Sequence, residues 1–451
     1  MAIRNDIFAA DFCETPYWWE AASPDDAGNL NLPSSADVLV VGGGYTGLNA
    51  ALELARAGRS VVVCEAHLFG HGASSRNGGA VSAGINLGKG IAGGPGEQVN
   101  RADGVALVEA LMRESDAAYD LVGELISRES IDCHYQQYGR MVGAFTPAHF
   151  RKFPEQAERI NRLTDAGASV ISRSQLGDEM ASTFYHGGLV IERAAKLHPA
   201  LYLAGLRAAA VRAGAVLCAH TPVLRVDGEQ GEFVVLTSKG EIRAADVVIG
   251  TNGYTGGLTP QLCRQIVPAS SHIIATEELP EALVQSLIPK GRTLSDTPRI
   301  LHYYRQSPDG KRIIFGGRAR FTDVGPRTRA QLLHKSMSER FPQLTDAKVT
   351  HSWTGLLAFT ADSVPHVGQY RGMHYAMGCN GSGVAMMTYL GNLMGRRILR
   401  GNDTHSAYLG RAHSPVPVPG YNGNPWFLPL VGGWYRWRDR IDRWYGDLTA
   451  R

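Results

Sequence analysis

The chain alternates between unbroken β-favouring runs and apolar residues at helical spacing. Val38-Leu39-Val40-Val41 has the character of a strand buried on both faces of a parallel sheet. Leu48, Ala51, Leu52 and Ala55 then recur on one helical face, so a helix is predicted from near Gly44, with Gly58 ending it. Ser60 to Cys64 predicts a second buried strand. Val105, Leu107, Val108, Leu111 and Met112, continued by Ala117, Leu121 and Leu125, predict a longer helix. Leu301 to Arg320 reads as two strands around a Pro-Asp-Gly turn, and a helix is expected near Ala330 to Arg340. Met377 ends a predicted strand, and Val384 to Leu399 reads as a further helix.

Between the first strand and first helix, Gly42, Gly44 and Gly47 fit GxGxxG, with Tyr45 and Thr46 between them. Gly42 would permit the tight turn, Gly44 close approach of a pyrophosphate, and Gly47 close helix–strand packing. The free amides and positive end of the helix would face the phosphates. Glu65, 23 residues after Gly42, stands where it can accept from ribose hydroxyls. An acid there disfavours a 2′-phosphate. These residues point to dinucleotide binding without choosing between FAD and NAD.

With 451 residues, the chain can form two or three domains. A net charge of +3 gives no argument for nucleic acid or a membrane surface as partner. The six cysteines show no CxxC and no metal-ligand spacing, so free thiols, no metal site and a cytoplasmic setting are expected.

GGGYTG, then Glu65, then GASSRNGG (Gly72 to Gly79) resembles the D-amino-acid oxidase (DAO) superfamily of FAD-dependent amine oxidoreductases. Within it, the chain is similar to the γ-glutamylputrescine oxidase and glycine/sarcosine oxidase branch. TPYWWEAA near the N-terminus, ADVVIGTNGYT (Ala245 to Thr255), SSHIIATEEL, RIIFGGR, WTGLLAFTADSVPHVG and MGCNGSGVAMMTYLGN extend the resemblance over nearly the whole chain.

The resemblance implies an α/β, Rossmann-like FAD-binding domain, discontinuous over 36–95, 196–256 and 345–412. With it would go an α+β substrate domain with antiparallel sheet, over 96–195 (mainly helical) and 257–344. Residues 1–35 form an N-terminal extension. The implied FAD contacts are Gly42, Gly44, Tyr45, Thr46, Gly47, Glu65 and Ala66, then the loop Gly72, Ala73, Ser74, Ser75, Arg76, Asn77, Gly78 and Gly79. Val223 would contact the adenine end through its backbone, followed by Thr251, Asn252 and Gly253. Gly378, Asn380, Gly381, Gly383 and Val384 would form a second helix N-terminus near the pyrimidine end of the isoalloxazine. Relatives that attach flavin covalently use a cysteine or histidine at the positions of Gly355 and Asn77, so dissociable FAD is expected.

The implied reaction is oxidation of a C–N bond in a secondary amine or amino acid by hydride transfer to flavin, followed by imine hydrolysis. The catalysis is flavin-centred, and oxygen or another acceptor would take the electrons. Arg318 and Arg305 are candidates to clamp a substrate carboxylate, and Tyr303 to wall the flavin face. Trp353 would either line the cavity or fill the domain interface. His302 and His366 are expected to be structural. Some relatives that reduce oxygen use a lysine near the flavin, for which Lys89 is a candidate, but Lys89 is expected to be an exposed lysine. Two alternatives stay open: an NAD-dependent dehydrogenase, and a flavin-binding electron-transfer or scaffold subunit. The tail at 413–451 carries Trp426, Trp434, Trp437 and Trp444. It is expected to pack on the protein's own surface, without membrane contact.

Overall fold

The computed structural model describes residues 6–26, 31–82, 102–317, 324–411 and 413–449. Two large sheets organise them. The first has eight strands and draws them from three distant stretches of chain. Ser35–Val41 lies between Val61–Cys64 and Gly240–Ile249, parallel to both. Val216–Cys218 extends the parallel set on one side and Met373–Met377 on the other. Phe233–Thr237 and Val223–Asp227 add antiparallel strands at the edge. The run Val38–Val41 is almost wholly buried, as a strand covered on both faces requires.

The first helix, Tyr45–Arg56, starts at Gly44 and ends at Gly58, whose φ of 82° accommodates the reversal. The late helix, Gly383–Arg400, lies across it. A Cβ at Gly391 would come within 2.2 Å of the Thr46 carbonyl oxygen, and one at Gly395 within 2.8 Å of the Glu53 Cβ. Only residues without side chains allow these helices to approach so closely. Asn392 locks the crossing by donating to the Glu53 carboxylate at 2.8 Å.

The second sheet has nine strands. Its centre is antiparallel: Val349–Thr360, Ile266–Thr276, Ile313–Gly317, His302–Gln306 and Thr293–Asp296. The sheet as a whole is mixed, because Thr293–Asp296 pairs in parallel with Arg140–Gly143, and Phe8–Cys13 with Val349–Thr360. The segment expected to be mainly helical holds Ala102–Glu129 but also three of these strands: Arg140–Gly143, Ala168–Ser172 and Gly187–Ile191. Two further stretches join the sheet from outside the expected substrate segments. They are Phe8–Cys13 from the N-terminal extension and Val349–Thr360, which carries the chain from one sheet to the other.

Pro326–Arg340 covers this sheet and sends Arg340 into its core. There the Arg340 guanidinium donates to Asp296 at 2.5 Å, both groups being fully enclosed. The Tyr185 hydroxyl and the His302 backbone amide also donate to Asp296. Since Arg340 can only donate, His302 Nδ1, 3.0 Å away, accepts and the ring is neutral. His366 is also structural: it sits 3.1 Å from Asp362 and stacks on His413. No helix among the described residues is long and apolar enough to cross a membrane.

Candidate active site

The first glycine turn has the backbone that its sequence implies. Gly42 has φ of 98°, in the region that favours glycine. A Cβ at Gly47 would fall 1.9 Å from the Gly42 carbonyl oxygen, so no side chain fits there. Glu65 reaches back from the end of the second strand and accepts from the Gly43 amide at 2.8 Å. The loop Gly72–Gly79 then closes over the helix start. Ser74 Oγ accepts from the Tyr45 amide at 3.1 Å, and the Asn77 side chain donates to the Ser74 carbonyl at 3.0 Å.

The second turn sits beside the first. The Gly378 amide donates to the Asn252 side chain at 3.0 Å, joining the strand end at Thr251–Gly253 to the late glycine segment. Asn252 and Asn380 both adopt left-handed φ, 42° and 45°. Gly253 lies so close to Leu356 and Leu357 that a Cβ would meet them within 3.3 Å. Tyr45 at the start of one helix and Gly381 to Val384 at the start of the other line one cavity of about 230 Å³. Ala73, Ser74, Arg76, Asn77, Gly78, Gly79, Asn252 and Asn380 line it too. Gly42, Gly44, Thr46, Gly47, Glu65, Ala66, Gly72, Ser75, Thr251, Gly253 and Gly378 are in the same turns, outside the lining itself. Val223 is farther out, beside Thr221, whose amide donates to the Glu65 carbonyl. Two converging helix starts, with an acid at the outer strand end, fit a long dinucleotide cofactor.

The opposite wall comes from the nine-stranded sheet. Tyr303 lines the cavity, and its hydroxyl lies 2.9 Å from Ser271 Oγ. Its ring occupies the space that a Cβ at Gly78 would need. Arg305 also lines the cavity while only 2% exposed. It donates to the carbonyls of Leu197 at 2.7 Å and Gln306 at 3.0 Å, and its Nη2 is buried without a partner. Arg140, absent from the sequence expectations, also borders the cavity, and its Nε is buried without a partner. No carboxylate pairs with either guanidinium among the described residues. Burial pulls Arg305 down to about 9 and Arg140 to about 10. Behind them, burial and then Arg305 draw Lys196 down to about 7 and His198 to about 4. His198 is therefore neutral, and the two arginines give this wall positive charge without a carboxylate partner, suited to an anion.

Trp353 is not part of the lining. It is buried against Trp18, ring centroids 6.3 Å apart, and its indole donates to the Arg76 carbonyl at 2.8 Å. It fills the interface between the loop and the sheet. Arg76 itself is held by the carbonyls of His71 and Thr354 and by the Trp19 ring, 4.4 Å away. Arg318 and Lys89 lie outside the described residues.

Residues 37–397 match the family model described as "FAD dependent oxidoreductase" (DAO). The chain is 31% identical to gamma-glutamylputrescine oxidoreductase of Escherichia coli over 91% of its length and 95% of that protein. It is 30% identical to a probable oxidoreductase, OrdL, of Rhizobium meliloti over 94% of its length and 97% of the relative. Among solved structures, glycine oxidase from Geobacillus kaustophilus superposes with a TM-score of 0.68. That match has 20% identity and covers 83% of this chain and 97% of the other. Iminodiacetate oxidase from Chelativorans superposes with a TM-score of 0.61 at 18% identity, covering 84% and 98%.

Proposed function

Because the chain belongs to the DAO family of FAD-dependent oxidoreductases, we propose that it oxidises the C–N bond of an amine that carries a carboxylate. Amino acids, N-alkyl glycines, imino-diacids and γ-glutamyl amines form this class. Bound FAD supplies a hydride acceptor for the carbon next to the amine, and water then splits the imine. Family membership sets the nicotinamide reading aside. The two glycine turns, Glu65 and the loop Gly72–Gly79 would hold FAD along its length. Asn77 and Gly355 offer no atom for a covalent flavin link, so the cofactor would be dissociable.

The observation that carries the substrate class is the pair Arg140 and Arg305. Each guanidinium borders the cavity with a buried nitrogen lacking a partner. A carboxylate in the cavity would be drawn to this unbalanced positive charge, and the amine oriented relative to the opposite wall. Tyr303, fixed by Ser271 and Gly78, would restrict the other side of the substrate. The names of the relatives, gamma-glutamylputrescine oxidoreductase, glycine oxidase and iminodiacetate oxidase, are of enzymes for substrates that bear a carboxylate.

The test is an anaerobic panel of glycine, sarcosine, iminodiacetate and γ-glutamylputrescine, each beside its analogue lacking the carboxylate. Bleaching of the flavin band by the acids, with at most slow bleaching by the analogues, is expected. Equal rates for both sets would refute the carboxylate assignment.

A further inference from the structure

The C-terminal helix, Leu428–Thr449, is attached to the protein by one side. Asp439 and Asp442 both accept from the Arg299 guanidinium, at 3.0 and 2.6 Å. The Arg443 guanidinium lies 4.9 Å from the Phe184 ring. Gly446 is buried so close to Pro147 that a Cβ would come within 3.0 Å of it. These contacts determine which side looks outward.

The outward side carries a row of apolar residues. At about 100° per residue, Leu430, Trp434, Trp437, Ile441 and Trp444 fall within roughly 80° of arc and span about 21 Å. Leu430, Trp434, Trp437 and Trp444 are 71, 55, 51 and 59% exposed. The rings of Trp434 and Trp437 lie 4.9 Å apart and form one surface. Arginines edge the row: Arg436 and Arg440 are exposed, and the Arg438 guanidinium sits 5.8 Å from the Trp434 ring. Asp439 and Asp442 are already engaged with Arg299, so they do not neutralise these arginines.

We propose that this face rests on an anionic lipid surface. The tryptophans would sit at headgroup depth and the arginines against lipid phosphates. Arginines on both flanks repel a second copy of the same helix and attract a negatively charged plane. Three half-exposed tryptophans and a leucine offer on the order of 500 Å² of apolar surface. That falls short of the roughly 800 Å² per partner typical of a stable protein pair. A lipid surface requires no complementary groove, and an indole has both the apolar ring and the N–H donor that the interface favours. This reverses the sequence-based expectation that the tail would avoid membranes.

The experiment floats the full-length, flavin-loaded protein with vesicles of phosphatidylcholine alone or mixed with phosphatidylglycerol. Binding to the mixed vesicles only, weakened by added salt, is expected, together with quenching of tryptophan fluorescence by brominated lipid. Both W434S/W437S and R436E/R440E should lower the bound fraction roughly tenfold or more. If the tryptophan variant misfolds, quenching in the unaltered protein and the arginine variant still decide the matter. Failure to float with either vesicle, or equal binding to both, would overturn the proposal. So would a solution dimer that W434S/W437S converts to monomer, since the row would then belong to a second copy.

Discussion

The cavity wall built on the parallel sheet and the wall built on the nine-stranded sheet differ in what they present. The first offers mainly backbone: the helix starts at Tyr45 and at Gly381 to Val384, reached through glycine turns such as the one at 42–47, where a side chain at Gly47 has no room. The second offers side chains, with Arg140 projecting from one strand and Tyr303 and Arg305 from another. Backbone amides suit a ligand that never changes, because their positions are fixed by the turn itself. Projecting side chains can be exchanged without disturbing the sheet, so the second wall is where a family with one cofactor can vary its substrate.

If the walls are this separable, damage to one should spare the chemistry of the other. The largest effect is expected for Asp296→Ala, which leaves Arg340 buried without its anion beneath the second sheet. A loss of about 3–5 kcal/mol in urea unfolding is expected, while protein that remains folded keeps its flavin-to-protein ratio. Next comes Gly47→Ala, whose Cβ would meet the Gly42 carbonyl at 1.9 Å. It should cost about 1–3 kcal/mol and sharply lower flavin content, read from the absorbance ratio. Retained flavin there would break the comparison.

A smaller change is expected for Arg140→Leu. Losing a charge-assisted contact should raise KM for a carboxylated amine by roughly tenfold to a hundredfold. Removing an unpaired buried charge should also raise Tm slightly, and no purely structural arginine would give both results. The smallest effect is a pH slope. Burial holds Lys196 at about 7, against 10.5 for an open chain. Between those values the unfolded chain binds a proton that the folded chain does not. Stability should therefore rise with pH across that window, by at most about 1.4 kcal/mol per unit. Lys196→Met should flatten that slope in denaturation series.

The same contrast explains what could be read beforehand. Gly42, Gly44, Gly47 and Glu65 lie within one βαβ stretch, so their chemistry is visible in consecutive residues. Tyr303 and Arg305 were also legible, because a Pro-Asp-Gly turn marks their hairpin. Arg140 was not: only the pairing of Arg140–Gly143 with Thr293–Asp296, from a distant part of the chain, brings it to the cavity. The run GGLVI is too short for periodicity to separate strand from helix, so Gly187–Ile191 was hidden in a segment read as helical. Trp353 had two equal readings, and the buried edge contact with Trp18 decides for the interface. In the tail, an apolar row announces an amphipathic helix without saying which side meets protein. The ion pairs from Arg299 supply that answer.

The crossing at Gly391 and Gly395 also has a consequence for how the molecule is made. The first helix begins at Tyr45 and the late helix at Gly383, and the cavity needs both starts at once. A ribosome that has delivered only the first two-thirds of this chain has produced half a cradle. Nascent or truncated polypeptides should accordingly remain colourless, and flavin should be captured only after the last segments have been synthesised and docked.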